Sequence, residues 1–152
     1  MFKQVAPVLD TSVRALCRRP YAGHPKGCPN WDKKPGCPPQ ARVLEKILDL
    51  SKPVYAIWNK FDLGTHRAKM LAKHPDWSER QLVCCLYWQG TARKQLKSHV
   101  SDFLAQYPSY HVLTCPEACG VNITTTMANI GVELEWPPTN TTYQVALAGV
   151  KL

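Results

Sequence analysis

At 152 residues, with 19 Lys and Arg against 11 Asp and Glu and a net charge of +8, the chain is long enough for one domain with a real core. A fold held by crosslinks alone is therefore excluded. No run of about 18 apolar residues is present, which excludes a membrane-spanning helix, and the basic excess directs attention to an anionic partner, nucleic acid among them.

Seven cysteines are an odd number, and the opening Met-Phe-Lys-Gln-Val-Ala-Pro lacks a basic segment followed by an apolar one. The expectation is a cytoplasmic protein whose thiols stay reduced, so that clustered cysteines serve metal binding or catalysis rather than disulfides. The Asn-x-Thr sequons at Asn122 and Asn140 then carry no glycan.

Residues 1–16 hold an apolar pattern (Val5, Val8, Leu9, Val13, Leu16) that fits a strand or a helix equally. Residues 17–39 follow as CRRPYAGHPKGCPNWDKKPGCPP, with Cys17, Cys28 and Cys37 at x10 and x8 spacings among Gly23, Gly27, Gly36 and six prolines. Such a segment is expected to be neither a helix nor a central strand, and it needs a crosslink to hold one shape. Each Cys-Pro step keeps its cysteine extended, and each glycine permits a close approach. This loop reads as an N-terminal metal cradle whose fourth ligand comes from a distant part of the chain.

Residues 41–50 place Val43, Leu44, Ile47, Leu48 and Leu50 at helical spacing before Pro53 ends the run. Residues 54–61 (VYAIWNKF) are β-branched and aromatic, the pattern of a buried strand. Thr65 is expected to cap a helix to about 72, stopped at His74-Pro75. His66 and His74 read as surface histidines, since neither has a metal-ligand spacing.

A long helix is expected from Ser78, capped with Gln81, to about 107. Leu82, Cys85, Leu86, Ala92, Leu96, Val100, Phe103 and Leu104 form its apolar stripe, with a kink at Gly90. Cys85 is then a small core residue. Arg80, Arg93, Lys94 and Lys97 mark its polar side, and with Arg18, Arg19, Lys26, Lys33 and Lys34 they would make a basic surface if the fold joins them. Tyr21, Trp31, Tyr87 and Trp88 supply rings of the kind that stack on bases, or that pack a loop.

Residues 109–114 read as a strand leading into Cys115-Pro116-Glu117-Ala118-Cys119-Gly120. Asn122 caps a helix over 123–130 that Gly131 closes, and residues 132–136 and 143–150 read as two final strands. The alternation predicts a single α/β domain with a small mixed sheet of three to five strands flanked by helices.

Cys37-Pro38-Pro39, together with Glu117-Ala118-Cys119-Gly120-Val121-Asn122-Ile123 and the spaced Thr126, resembles a widespread family of predicted metal-binding proteins. Its members carry an N-terminal cysteine motif ending in Cys-Pro-Pro and a C-terminal Glu-Ala-x-Gly-[Ile/Val]-[Asp/Asn] segment. The resemblance implies cysteine-bound iron–sulfur or another metal and no particular reaction. Fuller members carry a further cysteine-rich segment before the Glu-Ala-x-Gly turn. Only Cys115 stands there in this chain, which points to one site, and the x of Glu-Ala-x-Gly is often not cysteine in the family, which makes Cys119 a weaker ligand than Cys115.

The ligand set expected is thus Cys17, Cys28, Cys37 and Cys115. Four thiolates suit zinc and a cubane alike. The wide spacings lack the C-x2–4-C knuckles of structural zinc and favour one [4Fe–4S] cluster over zinc, with mononuclear iron also open.

Three functions compete. They are a fully ligated cluster for electron transfer, sensing or stability; an enzyme with three cysteine ligands and an open iron, using Glu117 or His24 for proton transfer; and a basic nucleic-acid adaptor with structural zinc.

Overall fold

The computed structural model describes residues 1–20 and 24–152. The expectations for Tyr21 and Gly23 lie outside the described residues. Four strands, β1 (Phe2–Val5), β2 (Val54–Asp62), β3 (His111–Leu113) and β4 (Thr141–Gly149), form one sheet in the order β1-β2-β4-β3. The α-helices are α1 (Leu63–Lys73), α2 (Glu79–Leu82), α3 (Gln89–Gln106) and α4 (Ile123–Ala128). The chain is a small α/β domain, as its alternating pattern predicts.

Every neighbouring pair in the sheet is antiparallel, so the expected mixed sheet is not what forms. The reason lies in β4. The helices between β2 and β3 return the chain so that these two strands run parallel, as strand–helix–strand alternation suggests. β4 then enters between them and runs antiparallel to both.

Period-two alternation along β2 and β4 assigns their side chains to two faces. Val54, Ala56, Val145 and Leu147 pack with Leu44, Leu48, Val121, Ile123 and Met127 on one face. Ile57, Ala146 and Ala148 pack with Leu96 and Phe103 of α3 on the other. The sheet is therefore covered on both sides. Asn59, buried in β2, donates its side-chain amide to Gln95 Oε1 and Gln144 Oε1, each at 2.9 Å, joining α3 to both central strands.

Several elements differ from expectation. Residues 41–50 give only a 3-10 turn, Leu44–Lys46, although Leu44 and Leu48 are buried as their spacing implies. The backbone here pairs elsewhere: Asp49 N–H donates to Val150 O, Leu152 N–H donates to Ile47 O, and Leu48 bridges Lys151. α1 starts earlier than expected because Asp62, not Thr65, caps it, accepting from the Thr65 N–H at 2.9 Å.

The predicted helix from 78 to 107 keeps its Ser78–Gln81 capping box but breaks over 83–88, not at Gly90. Trp88 Nε1 donates to Val83 O across the break, and Leu86, expected on the apolar stripe, is 85% exposed. Cys85 is half-buried and lies in the broken segment. Residues 132–136 form no strand; Glu135 instead gathers the loop that follows, accepting from Thr139 N–H and Asn140 N–H. Asn122 caps α4 as expected, and the helix ends at Ala128 with Gly131 at φ +84° beyond it. Among the described residues no helix is long and apolar enough to cross a membrane.

Candidate metal centre

Cys17 does not sit in an irregular loop. It lies in the last turn of a 3-10 helix, Thr11–Arg18, which Asp10 caps by accepting from Ser12 N–H. Three bonds fix this helix against the distant turn that follows β3. Asp10 N–H donates to Gly120 O at 2.7 Å, Asn122 N–H donates to Val8 O at 2.8 Å, and Val8 N–H donates to the buried Thr126 Oγ1 at 3.0 Å. Gly120, at φ +81°, lies so close to Thr11 that a Cβ would approach its Cγ2 to 3.3 Å. Glycine there lets the two turns meet.

The turn itself begins where β3 ends. Cys115 stands at the N-cap of a 3-10 turn, Pro116–Cys119, with Pro116 at the first helical position, where its missing N–H costs nothing. This matches the expectation of a thiol at a strand end on rigid structure.

Between the two, residues 24–40 form successive tight turns: Gly27 N–H donates to His24 O, Trp31 N–H to Cys28 O, and Cys37 N–H to Lys34 O. Cys28 N–H closes the first loop onto Cys17 O at 2.7 Å. Gly27, at φ +85°, makes that closure possible, because a Cβ would lie 2.7 Å from Cys17 O and from the backbone of Arg18. Arg14 ties the far end down, its guanidinium donating to Pro39 O at 2.9 Å and Ala41 O at 2.5 Å. Arg18 lies over the Trp31 ring, 5.5 Å from its centroid.

Burial raises the Cys17 thiol above its ordinary value, and Cys28, Cys37, Glu117 and Cys115 add to the shift in that order. The five groups thus share one electrostatic neighbourhood. Cys115 keeps a solvent-facing side, yet the surrounding chain raises it too; the Glu117 carboxylate and then Cys37 add to this, while the Thr114 hydrogen bond and Arg93 oppose it. Glu117, exposed on one side, is desolvated enough by the chain packed around it that its carboxyl is raised. Cys119 is buried and raised by burial first and Cys115 second, with Arg14 opposing.

Among the described residues no three His, Cys, Asp or Glu side chains are grouped tightly enough to hold a metal ion. Cys84 and Cys85 lie in the break between α2 and α3, and no charge on them figures in the shifts of these thiols.

A cleft of about 460 Å³ opens beside the turn, and Cys115, Cys119, Arg42, His111, Ile47 and Leu113 are among the residues that line it. Sequence reasoning singled out neither Arg42 nor His111, nor Arg14. For Arg14 the signal was present: in a 3-10 helix residues three apart eclipse, which aligns Arg14 with Cys17. Of the basic residues, Arg93 on α3 acts on Cys115, while Lys94 and Lys97 are exposed on the same helix.

No family model matches the chain, and neither does any curated protein or solved structure.

Proposed function

We propose that the protein binds one iron–sulfur cluster of the [4Fe–4S] type through Cys17, Cys28, Cys37 and Cys115. One observation carries this reading: backbone bonds bring together the separate stretches that carry these cysteines, Cys28 N–H donating to Cys17 O and Asp10 N–H, just before the helix of Cys17, donating to Gly120 O, just after the turn of Cys115. The donor chemistry fits, since four soft sulfur ligands match an iron–sulfur cluster or zinc. The wide spacings suit an object larger than a single ion. The stretches that carry these thiols are near one another without a cation, and ionised thiolates drawn closer would repel one another, a repulsion that a cationic centre relieves. When bound, the cluster supplies one-electron chemistry or a rigid crosslink.

The surrounding residues have definable parts in this reading. Gly27 and Gly120 permit the backbone approaches, Arg14 anchors the cysteine loop, and Arg93 offsets negative charge at Cys115. Protein purified without oxygen should be brown and contain about four iron and four sulfide per chain. One zinc and no sulfide would overturn the assignment in favour of a zinc protein.

The cleft beside Cys115 favours a second reading, in which three cysteines bind and the cleft admits a substrate. Arg42 and His111 would then orient an anionic group, and Glu117, whose raised carboxyl holds its proton to higher pH than usual, would serve as the acid.

A further inference from the structure

A second cleft, of about 430 Å³, lies away from these cysteines between the end of β2, the helix α1 and the start of α3. Its volume falls within the roughly 300–1,000 Å³ of small-molecule sites. Three aromatic rings and two cations line it. Phe61 and Trp88 stack at 5.3 Å with 20° between their planes, and Tyr87 at the mouth is 52% exposed. Lys60 and Lys69 flank Asp62, whose two oxygens are occupied by the N–H and hydroxyl of Thr65.

Both lysines act on Asp62 from a distance, and neither forms a close ion pair: among the described residues the one such pair joins Arg67 to Glu79. α3 also opens here without a side-chain cap and without an acidic residue in its first turn, and Thr91 of that turn lines the cleft. His66 contributes an Nε2 that is shielded from water and has no hydrogen-bond partner. Burial, then Lys69, holds this imidazole below its ordinary value. Aromatic rings, two lysines that outnumber the one carboxylate of Asp62, and an unmade hydrogen bond are complementary to one kind of ligand, a planar heterocycle carrying an anionic group.

We propose that this cleft binds a mononucleotide unit, its base stacked against Tyr87 and Trp88 and its phosphate held between Lys60 and Lys69. The unit could be a free nucleotide or one residue of a single strand, since both present the same base and phosphate.

Calorimetry on the full chain with AMP, adenosine, inorganic phosphate and a short oligoadenylate tests this. AMP should bind once per chain, with adenosine and phosphate each at least about tenfold weaker, because stacking and charge each contribute. Lys60→Ala/Lys69→Ala and, separately, Tyr87→Ala should each weaken AMP by about tenfold or more. Both alter solvent-facing side chains, and far-UV circular dichroism verifies that the variants remain folded. An oligoadenylate that binds more tightly than AMP and loses that binding in the same variants identifies the strand as the source. Absence of AMP binding at millimolar concentration, phosphate binding as tightly as AMP, or equal binding by the lysine variant overturns the proposal. Cys28→Ser should bind AMP unchanged, which separates this site from the metal centre.

Discussion

Cys28 donates its backbone N–H to the carbonyl oxygen of Cys17 at 2.7 Å, so the ten-residue loop between two thiols is closed by the main chain itself. The closure depends on the residue before Cys28. Gly27→Ala would strain a left-handed backbone, at about 1–2 kcal/mol, and drive a Cβ to 2.7 Å from three backbone atoms. The expected outcome is faster proteolysis within residues 19–39 and loss of bound metal, with far-UV circular dichroism of the sheet retained. Gly36→Ala, whose Cβ would meet nothing within 4 Å, should leave both unchanged.

The two cysteines of the C-terminal turn should separate cleanly. Cys115→Ala should lose most of the metal and loosen residues 24–39. Cys119→Ala, which removes a buried core atom, should keep the metal and lower stability by about 1 kcal/mol. Metal stoichiometry and limited proteolysis on both variants decide the matter. A severe Cys119→Ala would exchange the ligand assignment, and two mild variants would put the three-cysteine enzyme first. Cys84→Ala and Cys85→Ala should leave metal content intact.

Asn59→Ala removes a buried amide that bonds side chains from α3 and β4. A loss of about 1–3 kcal/mol is expected, visible as a lower urea midpoint with an unchanged slope. Gln95→Ala, at an exposed partner, should cost about 0.5 kcal/mol or less.

Glu135 accepts from the Thr139 hydroxyl and from two backbone N–H groups, which lowers its carboxyl from 4.5 to about 2. The folded value is the lower one, so the unfolded chain binds the proton first as pH falls. The loop's ordering is therefore fully present above pH 4.5 and is lost as pH drops toward about 2. Following the amide resonances of Thr139 and Asn140 from pH 6 to about 2 should show one titration with an apparent value well below an ordinary glutamate. Glu135→Gln should abolish it.

Sequence patterning reached the elements that local composition decides. Residues 54–61 are a continuous β-branched and aromatic run because β2 is covered on both faces, and the Ser78–Gln81 pair is a local cap that needs no tertiary contact. The pattern failed where backbone bonding to remote residues decides. Leu44 and Leu48 are spaced as on a helix, yet bonds to residues 150–152 hold them in a turn. Leu86 falls on the predicted stripe, but a break closed by the Trp88 indole turns it to solvent. At the candidate metal centre the cysteines were visible by residue type. The three-residue spacing of Arg14 and Cys17 was in the sequence too, but it aligns them only in a 3-10 helix, which composition does not announce. In the second cleft Tyr87 and Trp88 were visible as rings able to stack on bases, but Lys60 and Lys69 were not, since they converge on those rings only after three elements pack.

The insertion of β4 between β2 and β3 sets an order of events. Among the described residues β3 pairs with β4 alone, so the strand that leads into Cys115 lacks its sheet partner until residues 141–149 have left the ribosome, while the turn beyond it can already bond to Val8 and Asp10. A nascent chain halted at Asn140 already carries every thiol of the proposed site but lacks the strand that joins the two halves of the sheet. Under the proposed function, cofactor loading then follows the emergence of β4 rather than that of the last cysteine. A chain truncated at Asn140 should accordingly appear in vivo as apoprotein, exposed to degradation rather than waiting half-loaded.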